Sequence, residues 1–176
     1  KDAEELSCGF EGHNDLEYLE KTLKETKDQY QTRLVIIDGV YSQDGDLSLL
    51  PEIISLCKTH EAMLMLDDAH GIGVMGANGR GTAEHFNCLG QVDMITGTFS
   101  KSFGCVGGFA AASKKIIQYL KFYADSNVFS AAPTPQVTAS ILKALEIIKK
   151  EPAIRARLWE NTDYLRSRLT TEGFDI

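Results

Sequence analysis

Short unbroken apolar runs alternate along the chain with stripes at helical spacing. Leu16, Leu19 and Leu23 stand at i, i+3 and i+7 behind His13-Asn14-Asp15. This predicts a helix over roughly 16–27, capped by Asn14 or Asp15, with Glu17 and Glu20 near its positive end. His13 reads as a structural residue at that helix start. Leu34-Val35-Ile36-Ile37-Asp38 is a continuous run, which predicts a strand of a parallel sheet buried on both faces. Pro51 opens the next helix, with Ile53, Ile54 and Cys57 on its apolar face and an end near His60. A second run, 62–66, follows, and the order strand, helix, strand predicts a right-handed parallel crossover. A glycine-rich loop over 71–81 and a short helix over 83–88 lead to a third strand, 92–96. Gly108-Phe109-Ala110-Ala111-Ala112 is a small-residue strand expected to return antiparallel.

Helical spacing dominates the remainder. Ser113 caps a helix carrying Ile116, Ile117, Leu120 and Tyr123. Asn127-Val128-Phe129-Ser130 reads as a short strand before a proline-marked loop. Pro135 to Lys150 is a long amphipathic helix with Val137, Ile141, Leu142, Leu145 and Ile148 on one face. Glu151-Pro152 breaks it. A last helix, from Pro152 to about Thr171, is expected to turn Ile154, Leu158, Tyr164 and Leu165 inward. The fold class is therefore α/β, a mainly parallel sheet flanked by helices.

Composition narrows the class. The 176 residues are 43% hydrophobic and 24% charged, enough for one sizeable globular core. A net charge of −7 argues against nucleic acid as a partner. No apolar run approaches membrane-spanning length, and no signal peptide is visible. Cys8, Cys57, Cys88 and Cys105 have neither CxxC nor zinc spacing, so they read as reduced thiols of a cytoplasmic protein with no metal site. The chain begins at Lys1 without an initiator methionine, and Gly-Phe-Asp-Ile at its end reads as the start of another strand. It is expected to be part of a longer protein.

Candidate chemistry gathers where the apolar runs stop. Ser42 lies beyond the first run, Asp67-Asp68-Ala69-His70 beyond the second, and Gly97-Thr98-Phe99-Ser100-Lys101-Ser102 beyond the third. In a parallel sheet these exits share one edge, the edge at which ligands bind. A turn hydroxyl, a capping aspartate and a loop lysine are each common alone; all three exits together form a set. An aldehyde cofactor of the pyridoxal phosphate type needs that set: a lysine to bind its carbonyl carbon, a carboxylate to keep its pyridine nitrogen protonated, a donor to its ring oxygen, and hydroxyls for its phosphate. The GxG at Gly71–Gly73 is no nucleotide fingerprint, because the acidic pair and histidine separate it from the strand.

The same residues carry a family resemblance. Asp67-Asp68-Ala69-His70-Gly71-x-Gly73, Gly79-Arg80-Gly81 and Gly97-Thr98-Phe99-Ser100-Lys101 resemble the α-oxoamine synthases, pyridoxal-phosphate enzymes of the aspartate aminotransferase fold (fold type I). His13-Asn14-Asp15, Asp38-Gly39-Val40-Tyr41-Ser42-x-Asp44-Gly45 and Val128-Phe129-Ser130 belong to the resemblance too, so it covers almost the whole chain. Within the family, Thr98-Phe99-Ser100-Lys101-Ser102 and Phe129-Ser130-Ala131-Ala132 are most similar to bacterial serine palmitoyltransferases. The 8-amino-7-oxononanoate synthases stand close, and 2-amino-3-ketobutyrate CoA ligase is a further alternative.

The resemblance implies roles. Lys101 would bind pyridoxal 5'-phosphate and move the α-proton. Asp67 would pair with the ring nitrogen, and His70 and Ser42 would contact the ring oxygen. Thr98 with Ser100 would bind the phosphate. Ser130 and Ala131 would lie near the phosphate of the neighbouring subunit of a homodimer. The substrates implied are an amino acid and an acyl-CoA, joined with loss of CO2. Residues 1–150 would be the central part of the cofactor-binding large domain, and 151–176 a helix leading toward a C-terminal small domain. Other parts of a complete member, including a ring-stacking histidine and a carboxylate-binding arginine, are expected outside this chain, which would not turn over substrate by itself. The alternative of another class is a non-catalytic partner subunit of a heterodimer.

Overall fold

Four strands form one sheet in the order β1-β2-β3-β4 in a computed structural model that describes residues 13–176. They are β1 (Leu34–Asp38), β2 (Met63–Asp67), β3 (Met94–Thr98) and β4 (Gly108–Ala112). The first three are parallel and β4 returns antiparallel to β3. Cys8 lies outside the described residues.

The helices follow the punctuation of the sequence. α1 (Leu16–Glu25) is capped by the Asp15 carboxylate, which accepts the Tyr18 N–H at 2.9 Å. The Asn14 amide donates to Asp46 and to the Leu47 carbonyl, both at 3.0 Å, and His13 pairs with Asp46 at 2.9 Å. These contacts tie the start of α1 to the loop behind β1, in keeping with a structural His13. α2 (Leu50–Thr59) carries proline in its first turn, where its missing N–H leaves no gap. α3 is short (Thr82–His85). Ser113 caps α4 (Lys114–Tyr123), and Thr134 caps α6 (Pro135–Lys150). Pro152 opens α7 (Pro152–Thr171).

Strand alternation gives the sheet two unlike faces. Val35, Ile37, Leu64, Leu66 and Ile95 point to one side, where Leu50, Ile53, Ile54 and Cys57 of α2 and Ala83 of α3 meet them to form the core. Leu64 and Leu66 are 1% and 0% exposed. On the other side Leu34 is 46% and Ile36 60% exposed. This corrects the expectation of a strand buried on both faces. Among the described residues helices pack on one face of β1 only, so its apolar run alternates in burial although it does not alternate in sequence.

Three further expectations are corrected. Residues 127–130 form no strand; α5 (Asp125–Val128) replaces it. Only two adjacent apolar residues mark that stretch, and Asp125 suits the first turn of a helix. The third strand is Met94–Thr98 rather than 92–96, which carries Thr98 to its very end. Ile154, Leu158, Tyr164 and Leu165 of α7 do not face inward; they are 51%, 44%, 69% and 57% exposed. α7 rests on α6 and on the 71–81 loop, through Arg155 donating to the Ala77 carbonyl and Trp159 donating to the Val74 carbonyl. A cavity of about 610 Å³ remains between α6, α7 and Phe99, Phe103 and Phe109. No helix among the described residues is long and apolar enough to cross a membrane.

Cys57 and Cys88 are buried free thiols and Cys105 is half-buried and free. Burial, with the Asp93 charge second, pushes the Cys57 thiol up to about 11, which makes it a poor nucleophile.

Candidate active site

The parallel register sets a row of polar side chains across the sheet where the strands end. Asp38 of β1 stands opposite Asp67 of β2, and Asp67 stands opposite Thr96 of β3. Partners in a parallel register point to the same face, here the one away from the α2 core. The backbone ties the exits together: Gly39 N–H donates to the Asp67 carbonyl at 2.7 Å, and Asp68 N–H to the Thr96 carbonyl at 2.9 Å.

Behind β2 the chain turns at once. One Asp67 oxygen accepts the Ala69 N–H at 2.9 Å, and the other has no partner among the described residues. Asp68 points the opposite way and is fully buried. It accepts Thr82 N–H at 2.8 Å and the Thr82 hydroxyl at 2.6 Å. Its oxygens leave no room for side chains at Gly71 and Gly81, where a Cβ would come within 2.0 and 1.8 Å. Burial pushes the Asp68 carboxyl above the usual aspartate value, with the Thr82 bonds opposing. This anchor fixes the turn that presents His70.

His70 meets the lysine. Lys101 Nζ lies 2.7 Å from His70 Nε2 across 31 residues of sequence. With Lys101 as an ammonium the bond runs from lysine to a bare Nε2, which places the imidazole proton on Nδ1. The lysine turn is locked beside it. The Ser102 hydroxyl donates to the Ile72 carbonyl at 2.7 Å, and Phe99 N–H donates to the Gly107 carbonyl at 2.9 Å. Thr98 and Ser100 share a hydroxyl contact of 2.7 Å, and Ser100 N–H donates to the Thr98 hydroxyl at 3.1 Å. The Thr98 hydroxyl also donates to the Gly107 carbonyl at 3.2 Å, and the Ser100 hydroxyl beside it is exposed.

The structure thus brings together Asp67, His70, Thr98, Ser100 and Lys101. Ser42 sits exposed in the turn behind β1, at the same sheet edge but without a hydrogen bond to the cluster. Ser130 and Ala131 are exposed between α5 and α6 and make no hydrogen bond to it among the described residues. Sequence reasoning passed over Asp38 and Thr96. Asp38 ends its apolar run just as Asp67 ends the next, and that parallel was the available signal. Thr96 gave none: it read as a strand terminus, yet its buried hydroxyl has no partner among the described residues.

Comparison with known proteins agrees with this layout. The family model for aminotransferase class I and II matches residues 8–176. A serine palmitoyltransferase of Bacteroides ovatus is 47% identical over 164 residues, covering 93% of this chain and 41% of that protein. An 8-amino-7-oxononanoate synthase of Symbiobacterium thermophilum is 46% identical over 163 residues, covering 93% of this chain and 42% of the relative. A solved serine palmitoyltransferase from S. paucimobilis, with a bound PLP–myriocin aldimine, superposes with a TM-score of 0.87 at 35% identity, over 93% of this chain and 41% of that one. The chain spans about two fifths of the length of these relatives. With the family model matching nearly all of its length and the strand-exit cluster in place, the chain belongs to the aminotransferase class I and II family.

Proposed function

We propose that this chain carries the cofactor-binding centre of a pyridoxal-phosphate-dependent enzyme that condenses an amino acid with an acyl-CoA and releases CO2, as the serine palmitoyltransferases do. The alternative within the same chemistry is an 8-amino-7-oxononanoate synthase, since relatives of both names match at similar identity. The observation that carries the reading is the Lys101–His70 contact of 2.7 Å at the edge where Asp67 and the Thr98–Ser100 pair also emerge. Such a donor set fits pyridoxal phosphate: a primary amine, a carboxylate with one free oxygen, an imidazole and paired hydroxyls.

Each residue has a task in this reading. Lys101 holds the cofactor and takes and returns the proton at the substrate α-carbon. Asp67 accepts the ring N–H on its free oxygen and keeps that nitrogen protonated. His70 and Ser42 face the ring oxygen, and Thr98 with Ser100 binds the phosphate. The bound cofactor serves as an electron sink for the charge released at the α-carbon. Ser130 and Ala131 serve the site of a neighbouring subunit, and the reading includes a cytoplasmic homodimer. It also makes residues 1–150 the central part of the large domain and 151–176 a lead toward a small C-terminal domain.

Borohydride reduction of the full-length gene product with pyridoxal phosphate, followed by peptide mapping, tests the centre. The expected result is a pyridoxyl adduct on Lys101 that Lys101→Ala abolishes while the circular dichroism spectrum stays unchanged. A folded protein without the adduct overturns the reading. Free CoA released from acyl-CoA only when an amino acid is present identifies the condensation; release without that dependence assigns another reaction.

A further inference from the structure

A second carboxyl stands in the row of strand exits, and the roles above leave it idle. Asp38 closes β1 as Asp67 closes β2, and the two are direct register partners on the same face of the sheet. Adjacent strands run about 4.8 Å apart, so the two carboxyl groups are neighbours. The Gly39 N–H that follows Asp38 is spent on the Asp67 carbonyl, which fixes the spacing of the two exits. Asp38 accepts no hydrogen bond and forms no ion pair in close contact among the described residues. The charged groups facing it are Asp67 from β2, His70 from the turn behind β2 and Lys101 from the turn behind β3.

We propose that Asp38 is a further positioning residue of the site, acting through Asp67: the two register-paired carboxyls ionise in sequence, and the state of Asp38 sets how much negative charge faces a bound cofactor ring. The two carboxyl groups stand in adjacent register on the sheet face away from the α2 core. Such a pair resists double ionisation, and the member without hydrogen-bond donors keeps its proton longer. Asp67 has the Ala69 N–H; Asp38 has none. In agreement, burial and then the Asp67 charge push the Asp38 carboxyl above the usual aspartate range, while His70 and Lys101 oppose. While Asp38 is neutral, one negative charge faces the site. Once it ionises, a second joins it and favours the protonated forms of the nearby basic groups.

The inference rests on the proposed cofactor for its functional part, and its test has two readouts in the full-length protein. Carboxyl NMR titration without cofactor reads the pair itself. Asp38 is expected to titrate above ordinary aspartate, and Asp67→Asn to lower its midpoint by about half a pH unit or more. An Asp38 midpoint that ignores Asp67→Asn overturns the proposal. The visible absorbance of bound pyridoxal phosphate against pH reads the consequence. Asp38→Asn is expected to lower the cofactor's pH midpoint by about half a unit or more, and Asp38→Glu to restore it. An Asp38→Asn profile superimposable on the parent overturns the proposal while the function stands. Coupled carboxyls in a protein that binds no pyridoxal phosphate uphold the Asp38–Asp67 pair and overturn the function instead.

Discussion

Asp68 has the most constrained side chain of the site, although it faces away from the chemistry. It is fully buried, has no cationic partner among the described residues, and depends on Thr82 for both of its hydrogen bonds. Asp68→Ala leaves the buried Thr82 N–H unpaired and opens a void, so it is expected to cost about 3 kcal/mol. Asp68→Asn keeps one acceptor for Thr82 and is expected to cost less. Chemical denaturation of both variants checks the order. The pH dependence carries a second prediction. Burial raises the Asp68 carboxyl in the folded state, so its contribution to stability is full below the ordinary aspartate value of about 3.9 and is lost as pH rises through the higher folded value. The deficit of Asp68→Asn relative to the parent should therefore shrink as pH rises through that window. A deficit that grows instead would mean that the buried carboxylate is stabilised in its charged form. At this scale Asp67, His70 and Lys101 were legible in the sequence because each follows the end of an apolar run. Asp38 was not, because an acid closing a strand looks like simple punctuation until the register sets it beside another.

Among the elements, the glycine-rich 71–81 loop is held by one side chain from α3. Glu84 accepts Asn78 N–H at 2.9 Å, the Asn78 amide at 2.7 Å and Arg80 N–H at 3.0 Å. Burial works against its charge, but these bonds and the Arg80 guanidinium outweigh it and hold the carboxyl below the usual glutamate range. Its contribution is thus present above about pH 4.3 and lost as pH falls through the lower folded value. Glu84→Gln should remove that acid limb from the stability profile. Hydrogen exchange should show the Asn78 and Arg80 amides opening at least about tenfold faster, the equivalent of one charge-assisted bond; unchanged protection would show that the loop is fixed without Glu84. The elements most legible in the sequence were those bounded by proline, glycine or a capping hydroxyl, such as α6, α7 and β4. α5 was missed because Val128-Phe129 has no periodicity to read. The face that α7 presents was misjudged because helical spacing marks a stripe without saying what covers it.

For the whole molecule, the balance of covered and uncovered surface is the main feature. The core lies on one side of the sheet, while Leu34 and Ile36 on the other side are open and both outer strands, β1 and β4, end the sheet order. Phe122 and Phe129 add exposures of 77% and 83% beyond β4. Apolar area of this kind drives association, and open strand edges add to it. The 176-residue chain expressed by itself is therefore expected to bind a hydrophobic dye and to sediment as concentration-dependent oligomers. A dye-silent monomer would contradict this. No pattern in the sequence distinguished the two faces of β1, since an unbroken apolar run is compatible with one covered face or with two.

The cluster from Asp38 to Lys101 is encoded in one uninterrupted stretch of chain, with β4 following directly. Protein synthesis proceeds from the N-terminus, and domains fold as they emerge. A ribosome that has released β4 has therefore already delivered every side chain of that cluster, while α6 and α7 are still to be made. What α7 adds to that cluster afterwards is bracing of the 71–81 loop, through Arg155 and Trp159.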